Sequence, residues 1–289
     1  MTSLNSFLEL TQSLTRLDFY RIHKAKQMHY YKDISHAPIS SKYLRIKMEP
    51  EEISNSITIA YFGQSNSANS VKPLIQNEGD IPKNLVQFEW RSRTFWNYYQ
   101  PLLGADGIYG NTITPAAFYL AKKLNKKVII VPFGVGGSRV VEWALGSLSY
   151  QLDIVLYSLL SKGLSPNLFL WHQGESDSRL AGCREAELRH APTCMNYSRK
   201  DFFLGTRKEH YKHALKIIID RIFNFFPESK FGVALVSRYN EESYCEHIRA
   251  AQYELIEENE KIFLSADSDV INQKESRYDG LHFSPLGAE

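Results

Sequence analysis

The sequence predicts an α/β protein: one domain of three layers, in which a mostly parallel five-stranded sheet is covered by helices on both sides. Three observations carry that expectation. Five short runs rich in Val, Ile, Leu and Phe have the length of strands buried on both faces. The stretches between them repeat apolar residues three and four apart, the spacing of a helix with one apolar face. Strand and helix alternate, and parallel neighbours need such a crossover, which must pack back onto the sheet.

The strand runs lie at about 56–62 (SITIAYF), 127–133 (KVIIVPF), 167–171 (NLFLW), 231–236 (FGVALV) and 261–265 (KIFLS). Helices are expected at about 113–125, 142–162, 207–226 and 246–259, the third showing its apolar face at Leu215, Ile218, Ile219 and Ile222. These elements make residues 52–289 the domain. Residues 1–51 form an N-terminal extension, partly helical, with Leu4, Phe7, Leu8, Leu14 and Leu17 on one helical face that packs on the domain. Two inserted loops, 71–110 and 178–206, interrupt the plan, and long loops in a compact domain are often functional. The first is crowded with Trp90, Phe95, Trp96, Tyr98 and Tyr99, which either close a satellite core or stack on a sugar.

Of the 289 residues 43% are hydrophobic and 23% charged, so the chain can bury a core and lacks the composition of a disordered protein. Its 34 Lys and Arg against 32 Asp and Glu leave a formal charge of +2 with no basic patch, so no nucleic-acid partner is expected. No apolar stretch approaches the ~18 residues of a membrane span, so no membrane partner is expected either. The first thirty residues lack the charged start and apolar centre of a signal peptide, which points to the cytoplasm, with secretion as the alternative. Cys183, Cys194 and Cys245 read as free thiols, although the first two could pair in an oxidising compartment. His210 and His213 lack cysteine or carboxylate partners at ligand spacing, so neither a metal nor another cofactor is expected.

In an open parallel sheet, ligands collect at the carboxyl ends of the strands. Three of those ends carry unusual sequences: Gly63-Gln64-Ser65-Asn66-Ser67, Gly134-Val135-Gly136-Gly137-Ser138 and His172-Gln173-Gly174-Glu175-Ser176-Asp177. A final loop reads Asp279-Gly280-Leu281-His282-Phe283-Ser284. A serine at a strand-to-helix turn presents its hydroxyl at the sheet edge but needs a base, and Asp279 and His282, three residues apart, make a base with its orienter. The Ser65 N–H, the Gly137 N–H and the Gln173 side-chain amide come from adjacent strand ends and could meet the oxyanion of acyl transfer. Taken singly, each motif is also a plausible turn, helix start or partial phosphate cradle. In combination they supply every part of an acyl-transfer site. Gln64, Asn66, Gly136, Arg139 and Glu175 are the supporting candidates. Glu175 and Asp177 are expected to hold their loop through backbone N–H groups rather than to act as a glycosidase pair. Arg139 reads either as a substrate contact or as a surface ion pair.

GQSN after the first strand, GGS with Trp143 behind it, WHQGESD after the third strand and DGLHFSPLG at the end resemble the SGNH-hydrolase superfamily. Within it they are most similar to the sialate O-acetylesterase and acetylxylan esterase branch, carbohydrate esterase family 6. The resemblance covers about residues 57–289. It implies a flavodoxin-like sheet and a serine esterase that removes acetyl groups from an acetylated carbohydrate through an acetyl-enzyme. Ser65 would be the nucleophile, His282 the base and Asp279 its partner, with Gly137 and Gln173 at the oxyanion positions. The family motif GQSNM ends here in Ser67, and only seven residues follow His282, where the resemblance implies a closing helix. The rival readings are a glycan-binding module of the same fold without turnover, and an O-acetyltransferase using the same serine.

Overall fold

A computed structural model of the chain describes residues 40–74, 81–178, 206–238 and 245–289. The N-terminal helix candidate, Cys183, Cys194 and all but the ends of the 178–206 insertion lie outside the described residues.

All five strand runs form strands: β2 (Ile57–Gly63), β5 (Val128–Pro132), β6 (Leu168–His172), β7 (Lys230–Leu235) and β8 (Ile262–Asp267). Three more join them, β1 (Arg45–Ile46), β3 (Leu85–Glu89) and β4 (Thr94–Asn97). The sheet therefore has eight strands rather than five, in the order β1-β4-β3-β5-β2-β6-β7-β8. The expected α/β class holds, and every pairing from β3 to β8 across the sheet is parallel. β4 and β1 add an antiparallel margin.

The extra strands escape a reading by apolar runs because β3 carries Gln87 and Glu89 among its buried residues. Gln87 is buried because its amide is satisfied: Nε2 donates to the carbonyls of Asn97 and Tyr99, and Oε1 accepts from the Leu103 N–H at 2.7 Å. Residues 85–97 of the 71–110 segment thus form two paired strands, and of its aromatics Tyr99 is half-buried while the others singled out are core. Trp90, Phe95, Trp96 and Tyr98 are all buried, with Tyr98 only 2% exposed.

The helices are α1 (Pro50–Ser54), α2 (Thr114–Lys123), α3 (Val140–Ala144), α4 (Ser147–Ser161), α5 (Lys208–Phe225), α6 (Glu246–Glu258) and a short α7 (Pro285–Ala288). The single helix expected over 142–162 is two, broken where Gly146 turns extended ahead of α4. Side chains of β2 alternate between two cores. Ala60 and Phe62 face α3, α4, α5 and α6, while Ile59 and Tyr61 face α2. Phe62 stacks on Phe133 with centroids 4.5 Å apart and meets the edges of Trp143 and Trp171. Truncating Phe62 to alanine would cost about 3–5 kcal/mol. Among the described residues, no helix is long and apolar enough to cross a membrane.

Because β2 lies between β5 and β6, all parallel, the three carboxyl ends stand side by side. That aligns the three loops singled out in the sequence.

Candidate active site

β2 ends at Gly63, whose φ of +135° favours glycine. A Cβ there would lie 2.2 Å from the His172 carbonyl of β6, so only glycine lets the two strand ends approach this closely. The chain then turns into a 3-10 segment, Ser65–Ser67, stabilised by the Ser67 hydroxyl, which donates to the Gln64 carbonyl at 2.7 Å. The Ser65 side chain is left half-buried at the rim.

The final loop brings its partners there. His282 Nε2 lies 2.9 Å from Ser65 Oγ, across 217 residues of sequence, and His282 Nδ1 lies 2.7 Å from Asp279 Oδ2. The other carboxylate oxygen of Asp279 accepts the backbone N–H groups of Leu281 and His282. Burial pushes the Asp279 carboxyl up, but the hydrogen bonds from the His282 ring and from these N–H groups outweigh it and hold it below the ordinary aspartate range. An ionised carboxylate fixes the tautomer with Nδ1 protonated, leaving Nε2 as the acceptor for the serine proton.

The β5 loop carries the glycines expected on the oxyanion side. A Cβ built on Gly136 would lie 3.9 Å from Ser65 Cβ, which places this loop against the serine. The Gly136 N–H donates to Asp106 Oδ2 at 3.1 Å, and Gly137 takes φ +64°. Among the described residues, the N–H groups of Ser65 and Gly137 have no acceptor. These are the two backbone N–H groups that the sequence offers to an oxyanion.

The third expected donor is turned elsewhere. Gln173 is fully buried, and its amide donates to Asp177 Oδ2 at 2.6 Å and to the Ser138 carbonyl at 3.1 Å. Both protons of the Gln173 amide are thus taken up within the loops. Asp177 also accepts the Val140 N–H and the Thr206 hydroxyl, so it does hold its loop, and the β5 loop with it. Burial pushes the Asp177 carboxyl up, while the nearby Arg139 charge and these donors oppose the rise. Arg139 itself is 9% exposed, not a surface residue.

The remaining supporting residues are ties between loops. Gln64 Oε1 accepts the Ser176 N–H at 3.0 Å. Asn66 Nδ2 donates to Glu175 Oε1 at 2.8 Å and to the Leu281 carbonyl at 3.3 Å, and its Oδ1 accepts the Phe283 N–H. One asparagine thus joins the nucleophile turn, the β6 loop and the histidine loop. Glu175 accepts from this side chain and also from its own backbone N–H. Its full burial pushes the carboxyl up to about 7. Burial, and then the Arg277 charge, pushes the neighbouring His172 down to about 3, so its ring is neutral at ordinary pH, with Nδ1 2.9 Å from the Tyr61 hydroxyl.

Sequence reasoning missed three residues. Asp106 holds Gly136 as above, while its N–H donates to the Gly134 carbonyl and its carbonyl accepts from Asn69. Ser70 donates its hydroxyl to the Ser65 carbonyl at 2.5 Å. Arg277 is buried under the histidine loop, donating to the carbonyls of Leu281, Ile271 and Ser268, with its guanidinium 4.1 Å from the Phe283 ring centre. The only signal was adjacency: Arg277 stands two residues before DGLHF, inside no motif.

A carbohydrate esterase family model, described as sialic acid-specific acetylesterase, matches residues 59–285. A solved protein from Arabidopsis thaliana superposes with a TM-score of 0.58 at 16% identity, over 81% of this chain and 92% of that one, which establishes the shared fold. A carbohydrate acetylesterase from Xanthomonas citri aligns over 74% of this chain and 50% of its own, with 13% identity and a TM-score of 0.46. None of the curated proteins compared matches the sequence. The family match spans most of the chain and includes the strand ends and loops that carry Ser65, Gly137 and His282, so the protein belongs to the sialic acid-specific acetylesterase family of carbohydrate esterases and is a carbohydrate O-acetylesterase.

Proposed function

We propose that the chain removes O-acetyl groups through an acetyl-enzyme on Ser65. The observation that carries this reading is the unbroken chain of contacts from Ser65 Oγ through His282 to Asp279, at 2.9 and 2.7 Å. Ser65 Oγ bonds to the acetyl carbon while its proton passes to His282 Nε2. The carbonyl oxygen becomes an oxyanion that accepts from the Ser65 and Gly137 N–H groups. The intermediate collapses, the bond to the sugar oxygen breaks, and His282 returns the proton to that oxygen. Water then repeats the sequence: it gives a proton to His282, attacks the acetyl carbon, and Ser65 leaves with the proton as acetate departs.

Asp279 stabilises the imidazolium formed in each half without itself being protonated. The test is hydrolysis of a chromogenic acetate ester by wild type and by Ser65→Ala. A loss of ~10³-fold or more in kcat is expected, and equal rates would remove the mechanism.

A further inference from the structure

The aromatic surface beside this site comes not from the buried Trp90 and Trp96 of the 71–110 segment but from the histidine loop and from Tyr109. Tyr278 is 43% exposed, and its ring lies within 20° of parallel to that of His282, with centroids 5.9 Å apart. It does not dangle: its N–H donates to the His282 carbonyl at 3.1 Å, closing the turn that carries both rings. A second ring, that of Tyr109, stands three residues after Asp106, whose carboxylate holds the Gly136 N–H beside Ser65. Tyr109 is held by its own N–H, which donates to the Asn69 carbonyl, and it carries Lys72 Nζ 5.1 Å above its ring. Ile108, its neighbour in the chain, is 49% exposed.

This surface matches one class of ligand. A pyranose has an apolar face of C–H bonds and a rim of hydroxyls, so it is recognised by a flat ring face with polar groups at its edge, which is what a fixed, half-exposed tyrosine offers. We propose that Tyr278, with Tyr109 and Ile108, is the platform that seats the sugar ring of an O-acetylated pyranoside and presents its acetyl group to Ser65. The proposal rests on the carbohydrate esterase reading and adds where the carbohydrate is held. Tyr278 stands beside His282, the group that must return a proton to the departing sugar oxygen.

The experiment compares kcat/KM for acetylated sugars with kcat/KM for a small aryl acetate, which has no sugar to seat. Acetylated methyl xyloside and O-acetylated sialic acid serve as the two sugar probes, with wild type, Tyr278→Ala, Tyr278→Phe and Tyr109→Ala. For Tyr278→Ala the ratio of sugar ester to aryl acetate is expected to fall about tenfold, mainly through KM, whereas Tyr278→Phe keeps it within about twofold. Tyr109→Ala moves the ratio the same way by less. An unchanged ratio in Tyr278→Ala overturns the platform while leaving the esterase reading intact. A wild type that cleaves the aryl acetate but neither sugar ester overturns the carbohydrate reading, and the platform with it.

Discussion

The two halves of this site are built differently. The serine side consists of three loops after β2, β5 and β6 that are locked to one another by buried side chains: Gln64, Asn66, Gln173, Glu175 and Asp177 are each at most 1% exposed. Many of its hydrogen bonds join residues tens to more than a hundred positions apart, such as Asn66 to Glu175. The histidine side is local: Asp279 serves the His282 ring, the His282 N–H and the Leu281 N–H within four residues, and its own side chain is 42% exposed. The serine side therefore shares its polar network with the fold, whereas the histidine side needs the fold only for anchorage through Arg277 and Asn66. Substitutions on the serine side should cost stability and activity together, and those on the histidine side activity alone.

The strongest challenge to that contrast is at the base. His282→Ala is expected to lower kcat by ~10³ to 10⁴, and Asp279→Asn by ~10² to 10⁴, through loss of the base or its tautomer. Both should shift unfolding free energy by less than about 0.5 kcal/mol, as for surface positions outside the core, measured by denaturant titration. A large stability loss in Asp279→Asn would mean that the histidine loop is not self-contained.

Asn66→Ala tests the other half. It leaves the Glu175 carboxyl and the Phe283 N–H without their partner, so stability should fall by about 2–3 kcal/mol. The serine and histidine also lose their tie, and kcat should drop about 10- to 100-fold. Loss of activity at full stability would place Asn66 with the local half.

A smaller effect sharpens the comparison through pH. Glu175 is raised to about 7 from an ordinary 4.5, so the folded state binds its proton more tightly than the unfolded state. The resulting stability is present below about pH 4.5 and is lost as pH rises through 7. Glu175→Gln removes this dependence. Relative to wild type, the variant should gain on the order of 1–3 kcal/mol between pH 5 and pH 8, by denaturant titrations at each pH. His172, lowered to about 3, acts in the opposite sense, its contribution being present above about pH 6.5 and fading as pH falls, and it is common to both proteins. An identical pH dependence in both would show that Glu175 is not buried as described.

The same contrast explains what the sequence discloses. Strands β2, β5, β6, β7 and β8 are legible because burial on both faces demands near-continuous apolar runs. β3 is not, since Gln87 sits in its interior by virtue of hydrogen bonds to residues 97, 99 and 103 that no local pattern announces. The meeting of Ser65, Asp279 and His282 was legible because acyl-transfer chemistry calls for those residue types at a strand end and in one tight turn. Gln173 misled for the complementary reason. Its amide could equally serve an oxyanion or a buried carboxylate, and only the fold shows Asp177 and Ser138 claiming it. Asp106 and Arg277 act through backbone carbonyls and N–H groups, which leave no signature in residue type.

The central claim is that the acetyl group passes through Ser65. Mixing the enzyme with an acetate ester, quenching in acid within the first turnovers and mapping peptides by mass tests it directly. One acetyl group on the peptide bearing Ser65, absent from Ser65→Ala, is the predicted result, whereas an acetyl group on another residue, or equal labelling of the Ser65→Ala variant, would contradict it.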